Sequence, residues 1–395
     1  MYLFVAILLL VGTIFEIVIR KSIKQYFSIV SFVLLILLCL RFGQGTDYYA
    51  YFLQYKYIDI GLPFFKIINY VMHGEPGWRV LMWLFKRLGA SFEIFIVILS
   101  VVMMYSSIRA IRKFSPYKVT SLFLLYPTYV MTYFFSALRQ GLVLSLFLGF
   151  GIEFLFNKEY KKYYLLIVVL TLFHSSALFL LCIPVVLVLF QKGRYKLVYG
   201  TCVIMALMGY TGIINVVERL IPNVSRYLDL SVSIPAILIR IIFFSLIYLM
   251  HIKLRYFEND IEKRMYHLYV FGICVFMALS FSANLSQRVT VPIKAIEILL
   301  IPIQLKMILN LKRVPDKKGV IKRNKGLTLS KKNLVLICIT MVLMIPSIEY
   351  VKNINSYILQ GNYYDSINIF NYPYISLWEK NEVHLYLSHF DEQIE

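Results

Sequence analysis

The chain has 395 residues, 60% of them hydrophobic, and a formal net charge of +20. Apolar runs of 15 to 20 residues recur along it. They exclude a soluble globular domain and predict an all-α polytopic integral membrane protein, since lipid cannot solvate an open sheet edge. The positive charge does not point to nucleic acid: basic residues cluster at 20–24, 109–118, 158–162, 192–196, 253–264 and 306–332, between apolar runs, and alternate with sparsely basic segments, which is the positive-inside pattern of a protein oriented in a bilayer.

The first apolar run starts at Met1 with no basic region before it, so it reads as a span and not as a cleavable signal peptide. Arg20, Lys21 and Lys24 come after it and put the N-terminus outside. Twelve hydrophobic segments are predicted, at 2–19, 26–41, 91–108, 119–135, 138–156, 163–174, 176–190, 197–213, 235–251, 266–283, 288–305 and 333–348. An even count from an outside start leaves the C-terminus outside too. The tail agrees, with only Lys352 and Lys380 against seven acids from Glu349 onward. The chain is therefore read as one transmembrane helical domain, 1–348, followed by an extracytoplasmic tail, 349–395. The domain carries outer-face loops at 42–90 and 212–235 and a basic cytoplasmic loop at 306–332. In the first outer loop, 61–72 suggests an interfacial helix, and 76–88 a helix with proline in its first position.

The stretch 163–191 carries no charge apart from His174 and has basic residues beyond both ends: Lys158, Lys161 and Lys162 before it, Lys192, Arg194 and Lys196 after it. It is too long for one upright span and too short for two. With both ends held on the cytoplasmic side, it predicts a hairpin of short helices with Phe173-His174-Ser175-Ser176-Ala177 at an outer tip. The five cysteines lie inside apolar runs without metal-ligand spacing and read as small buried hydrophobes.

In this topology the polar residues at outer helix ends are Arg41, Asp47, Glu75, Arg139, Gln140, His174, Arg240, Gln287 and Arg288. Arg139 and Arg288 read either as interfacial anchors or as anion ligands near a helix N-terminus, and with Arg41 or Arg240 they would suit a diphosphate. His174 reads either as a hydrogen-bonded structural residue or as a general base. Asp47 is a solvated loop carboxylate or a partner for an arginine or sugar hydroxyl, and Glu75 a helix cap or a site residue. No clustered carboxylates call for a divalent metal, and no cofactor is expected.

These fragments resemble the EpsG/Wzy-like family of bacterial exopolysaccharide and O-antigen polymerases. The resemblance rests on the Arg-x-Gly-x-Gly-x-Asp-Tyr run at 41–48, Glu-Pro-Gly at 75–77, Ala-Leu-Arg-Gln-Gly at 137–141, Phe-His-Ser-Ser-Ala at 173–177 and Asn-x-x-x-Arg at 284–288, in that order across about 250 residues, and loosens beyond position 300. It implies an architecture similar to GT-C glycosyltransferases. It also implies donor and acceptor oligosaccharides on polyprenyl diphosphate, joined at the outer face of the bacterial cytoplasmic membrane, with a flippase and a chain-length regulator as candidate partners. On this resemblance Arg139 and Arg288 bind the donor diphosphate. His174 lies by the acceptor hydroxyl, and Asp47 and Glu75 shape the site; Tyr48, Gln140 and Gln287 are further substrate-binding candidates. Two other readings use the same residues: a lipid-linked oligosaccharide flippase, and a membrane O-acyltransferase with His174 as its base.

Overall fold

Three of the helices begin at a short polar side chain that caps the first turn. Ser91 accepts a hydrogen bond from Ile94 N, Asn259 from Ile261 and Glu262 N, and Ser282 from Leu285 N, each satisfying amides that have no partner within the first helical turn. The computed structural model describes residues 1–43, 47–70, 74–210, 231–254, 259–310, 331–363 and 376–379. Regular structure among them is helical, and the one isolated β-bridge pairs Arg41 with Ser376. In chain order the helices are α1 (Tyr2–Ile19), α2 (Lys24–Cys39), α3 (Tyr48–Tyr57), α4 (Phe64–Ile68), α5 (Pro76–Arg87), α6 (Phe92–Phe114) and α7 (Lys118–Leu125), the last continued by a π-helical stretch, Tyr126–Phe134. There follow α8 (Leu138–Phe156), α9 (Tyr160–Thr171), α10 (Ser175–Gln191), α11 (Tyr195–Tyr210), α12 (Ile234–Leu254), α13 (Asp260–Ala278), α14 (Ala283–Lys294), α15 (Glu297–Leu309) and α16 (Lys331–Tyr363).

Five of these are long and apolar enough to cross a membrane: α1, α6, α8, α12 and α16. The chain is a multi-pass helical membrane protein. The segment read as one span at 288–305 is divided between α14 and α15, because Ala295 and Ile296 interrupt the helix. The last helix continues through residues 349–363, which the sequence reading gives to the tail. In the first outer loop, α3 is a helix the apolar pattern does not announce, and of the interfacial helix read at 61–72 the described residues form the five-residue α4, with 71–72 outside them. Most of the 212–235 loop, most of the basic 306–332 loop and the tail beyond Tyr363, apart from 376–379, lie outside the described residues.

The hairpin over 163–191 has unequal arms. Helix α9 spans 12 residues, about 18 Å. Helix α10 opens with eight residues of 3-10 helix, Ser175–Cys182. Their greater rise of about 2.0 Å per residue lets this arm reach roughly 30 Å. Tyr163 donates to Leu180 O at 2.6 Å and ties the arms together.

Contacts sort the charged residues to two ends of the bundle. At one end Arg109 and Lys113 clamp Glu153 at 2.5 and 2.6 Å, and Arg264 donates to Phe156 O and pairs with Asp260. Residues 41–43, 47, 74–79, 134–140, 172–176 and 280–290 meet at the other.

Candidate functional site at the hairpin tip

The site grows from three breaks in the helical chain. The first is Glu75-Pro76-Gly77, where proline pre-sets the first turn of α5. Gly77 N donates to Leu172 O at 2.8 Å, and a Cβ on Gly77 would lie 2.7 Å from that oxygen. Only a glycine lets the α5 N-terminus sit against the hairpin tip. The second break lies between the π-helical stretch and α8, at Phe135–Ala137. Gly141 has the same role there, since its Cβ would lie 2.7 Å from Tyr133 O. The third is the turn 172–174, where His174 is in extended backbone and caps α10.

Glu75 joins them. Its Oε2 meets an Arg139 terminal nitrogen at 2.5 Å, and its Oε1 accepts from Ser175 N at 2.8 Å. The two side chains are 18% and 13% exposed, so the pair is largely shielded from water. Burial works against ionisation of Glu75, but the Arg139 charge and then the Ser175 amide hold its carboxyl below the ordinary value of 4.5. Tyr51 completes the clamp: Arg139 Nε donates to its hydroxyl at 3.4 Å and the guanidinium lies 6.0 Å from its ring centroid.

His174 is 7% exposed. Its Nδ1 accepts from Ser176 N at 3.2 Å and lies 2.8 Å from Ser176 Oγ. A nitrogen that accepts from an amide cannot carry a proton, so the neutral ring holds its proton on Nε2. In this tautomer His174 offers a donor to a ligand, and the general-base role read from the sequence would require breaking the cap. Arg288 reaches the same place from α14, whose backbone is held by Gln140 Nε2 donating to Arg288 O at 3.1 Å. His174, Ser175, Ser176, Leu178, Phe179, Leu285, Arg288 and Val289 enclose a cavity of about 360 Å³. Its lining is mainly apolar, with His174, Ser175, Ser176 and Arg288 as polar members, which suits an amphiphile with an anionic head.

Other expected site residues lie elsewhere. Arg41 is fully buried, and its guanidinium donates to Leu38 O, to Ser100 Oγ at 2.9 Å and to Phe134 O at 2.7 Å. It pins α2 to the π-helical stretch and lines neither the hairpin-tip cavity nor the one on the other flank of α14, so its geometry lends no support to a diphosphate role. Tyr48 is buried between Phe42 and Phe92, with ring centroids at 5.6 and 5.4 Å, and packs the core. Asp47 is placed beside the second break by its backbone, whose N–H donates to Ser136 Oγ at 3.1 Å. Arg240 and Gln287 line a different cavity, on the other flank of α14. Sequence reasoning missed Tyr51 and Ser175, which carry no charge pattern. It also missed Lys294 and Glu297, which form an ionisable i,i+3 pair inside an apolar run.

A family model matches residues 24–314, most of the chain, and its description is the EpsG family. The chain belongs to the EpsG family. No curated protein and no solved structure matches it. The matched region of this EpsG-family chain holds the three breaks, 75–77, 135–137 and 172–174, and the first turns of α14 that carry Arg288.

Proposed function

We propose that this EpsG-family protein is a polysaccharide polymerase, a glycosyltransferase that joins polyprenyl-diphosphate-linked oligosaccharide repeat units at the outer face of the bacterial cytoplasmic membrane. The observation that carries the reading is the convergence of Glu75, Arg139, His174 and Arg288 beside one partly apolar cavity, at the bundle end opposite the basic loops. By the positive-inside rule the basic end faces the cytoplasm, so the cluster faces outward. Both termini outside, twelve hydrophobic segments and a GT-C-like arrangement belong to the same reading.

The chemistry asked of the site is modest. An acceptor hydroxyl attacks the anomeric carbon, the bond from that carbon to the diphosphate oxygen breaks, and the diphosphate leaves with the electron pair. Its low basicity removes the need for a protein acid, and the hydroxyl proton can pass to the released diphosphate. What remains is to orient the acceptor and neutralise the growing charge. Arg288 and Arg139 supply that charge. Glu75 keeps Arg139 aimed and holds the α10 amide in register. His174 donates from Nε2 to a diphosphate or sugar oxygen, while Asp47 and Gln140 fix the backbone around it. Direct displacement inverts the anomeric configuration, which NMR of the product reads, and retained configuration would contradict the single-step mechanism.

The test is a deletion strain with its lipid-linked sugars extracted. Single repeat units on lipid at the outer face, with no long chains, identify a polymerase. Units trapped at the inner face would identify a flippase, and normal chains lacking a substituent an acyltransferase.

A further inference from the structure

A polymerase brings two lipid-linked chains together, and the hairpin-tip cavity has room for one head group. A second polar cavity of about 240 Å³ lies on the opposite flank of α14, walled by the π-helical stretch, α12, α13 and α16. Arg288 faces the first cavity, and Gln287, Val291 and Lys294 of the same helix line the second.

Three cations line it, Arg240, Lys294 and Lys352, with Glu349 between them. Lys294 lies 3.5 Å from Glu349 and 3.8 Å from Glu297, and Lys352 lies 3.7 Å from Glu349. These distances exceed the 2.7–2.9 Å of a tight charge-assisted hydrogen bond, so the ammonium groups retain donors for a ligand. Glu297, fully buried behind the wall, is engaged by Tyr129 OH at 3.0 Å. Arg240 has no hydrogen bond or ion pair among the described residues, and rests over the Phe276 ring at 4.5 Å. Thr128 is 5% exposed and lines the same cavity, yet its hydroxyl has no partner among the described residues. A buried hydroxyl is ordinarily satisfied, and one left open on a cavity wall fits a ligand oxygen. Thr128 is there because the backbone is π-helical at this point, a geometry often found at functional sites.

The cavity lining also includes exposed apolar residues. Ile239 and Ile348 are exposed beside Arg240 and Glu349, on α12 and α16, the two membrane-length helices least buried within the protein. A lipid tail can lie along these helices while its head group sits among the cations.

We infer that this cavity is a second diphosphate site, which takes the head group of the other polyprenyl-linked chain, with Arg240, Lys294 and Thr128 as its ligands. The inference rests on the polymerase reading for the identity of the chain and on the cavity itself for its chemistry. Arg240→Gln is the cleanest probe, because removing a side chain without a salt bridge or hydrogen bond among the described residues leaves no orphaned partner.

The test is calorimetric titration of the full chain, in nanodiscs of neutral phosphatidylcholine, with geranylgeranyl diphosphate and separately with inorganic pyrophosphate. The prenyl diphosphate is expected to bind at two equivalents to the native protein and at one equivalent to Arg240→Gln or Arg288→Gln. Arg240→Lys, which keeps the charge, is expected to restore the second equivalent. Two equivalents retained by Arg240→Gln, or one equivalent in the native protein, would overturn the inference. Pyrophosphate binding as tightly as the prenyl ligand would overturn the lipid part of it. If Arg288→Gln kept two equivalents while Arg240→Gln fell to one, the second site would stand and the ligand role of Arg288 in the proposed mechanism would fall.

Discussion

At the residue scale, Glu75 links the parts of the site. It binds a guanidinium from α8 and an amide from α10, so its loss frees both at once. Glu75→Ala is expected to destabilise the protein by about 1.5–3 kcal/mol, the range for hydrogen bonds to charged groups. Arg139→Ala and Arg288→Ala are expected to lower polymer yield by at least ~100-fold at unchanged protein level, as for loss of one oxyanion donor. Polymer of normal length and amount from both would remove the diphosphate assignment. Because the Glu75 pKa is lowered in the folded protein, its contribution is complete above 4.5 and is lost as pH falls through the lowered value. The melting temperature of the purified protein should therefore show an acid limb below the ordinary carboxylate range, and Glu75→Gln should lose that component. His174 separates two roles. If it acts as an Nε2 donor, His174→Gln, whose amide can both cap Ser176 and donate, retains most activity while His174→Ala does not. Equal loss in both would restore the general-base role.

At the element scale, the glycines decide whether the breaks meet. In Gly77→Ala the new methyl would have to displace the 172–174 turn. The expected cost is about 1–3 kcal/mol, with a larger loss of polymer, measurable by thermal unfolding beside product gels. Much of this element structure was legible in the chain. The basic residues flanking 163–191 forced a hairpin with His174 at its tip, the short motifs around Glu75 and Arg139 marked the other two breaks, and the one around Arg288 marked the start of α14. What was hidden depended on contacts. Arg41 and Arg139 have similar sequence settings, each an arginine at the edge of an apolar run, but one is engaged by two backbone carbonyls and the Ser100 hydroxyl and the other by Glu75. The π-helical register that puts Thr128 on a cavity wall has no periodicity signal. Lys294 and Glu297 were legible as an intramembrane pair, but they were absorbed into a segment counted by hydrophobicity alone.

At the scale of the whole molecule, the account places the site and the basic loops at opposite ends. In a background without its native cysteines, Asp59→Cys on the α3–α4 connection is expected to react with a membrane-impermeant maleimide in intact spheroplasts. Lys161→Cys, in the first turn of α9, is expected to react only after lysis. The reverse pattern would turn the site to the cytoplasm and exclude outer-face polymerisation.

The most direct measurement reconstitutes the purified protein in proteoliposomes with its polyprenyl-diphosphate-linked repeat unit and follows the product on a gel. The account predicts a ladder of chains growing by whole repeat units, one polyprenyl diphosphate released per linkage, that persists in chelator and is absent with Arg288→Ala. Repeat units left at single length, or merely moved across the bilayer, would contradict it.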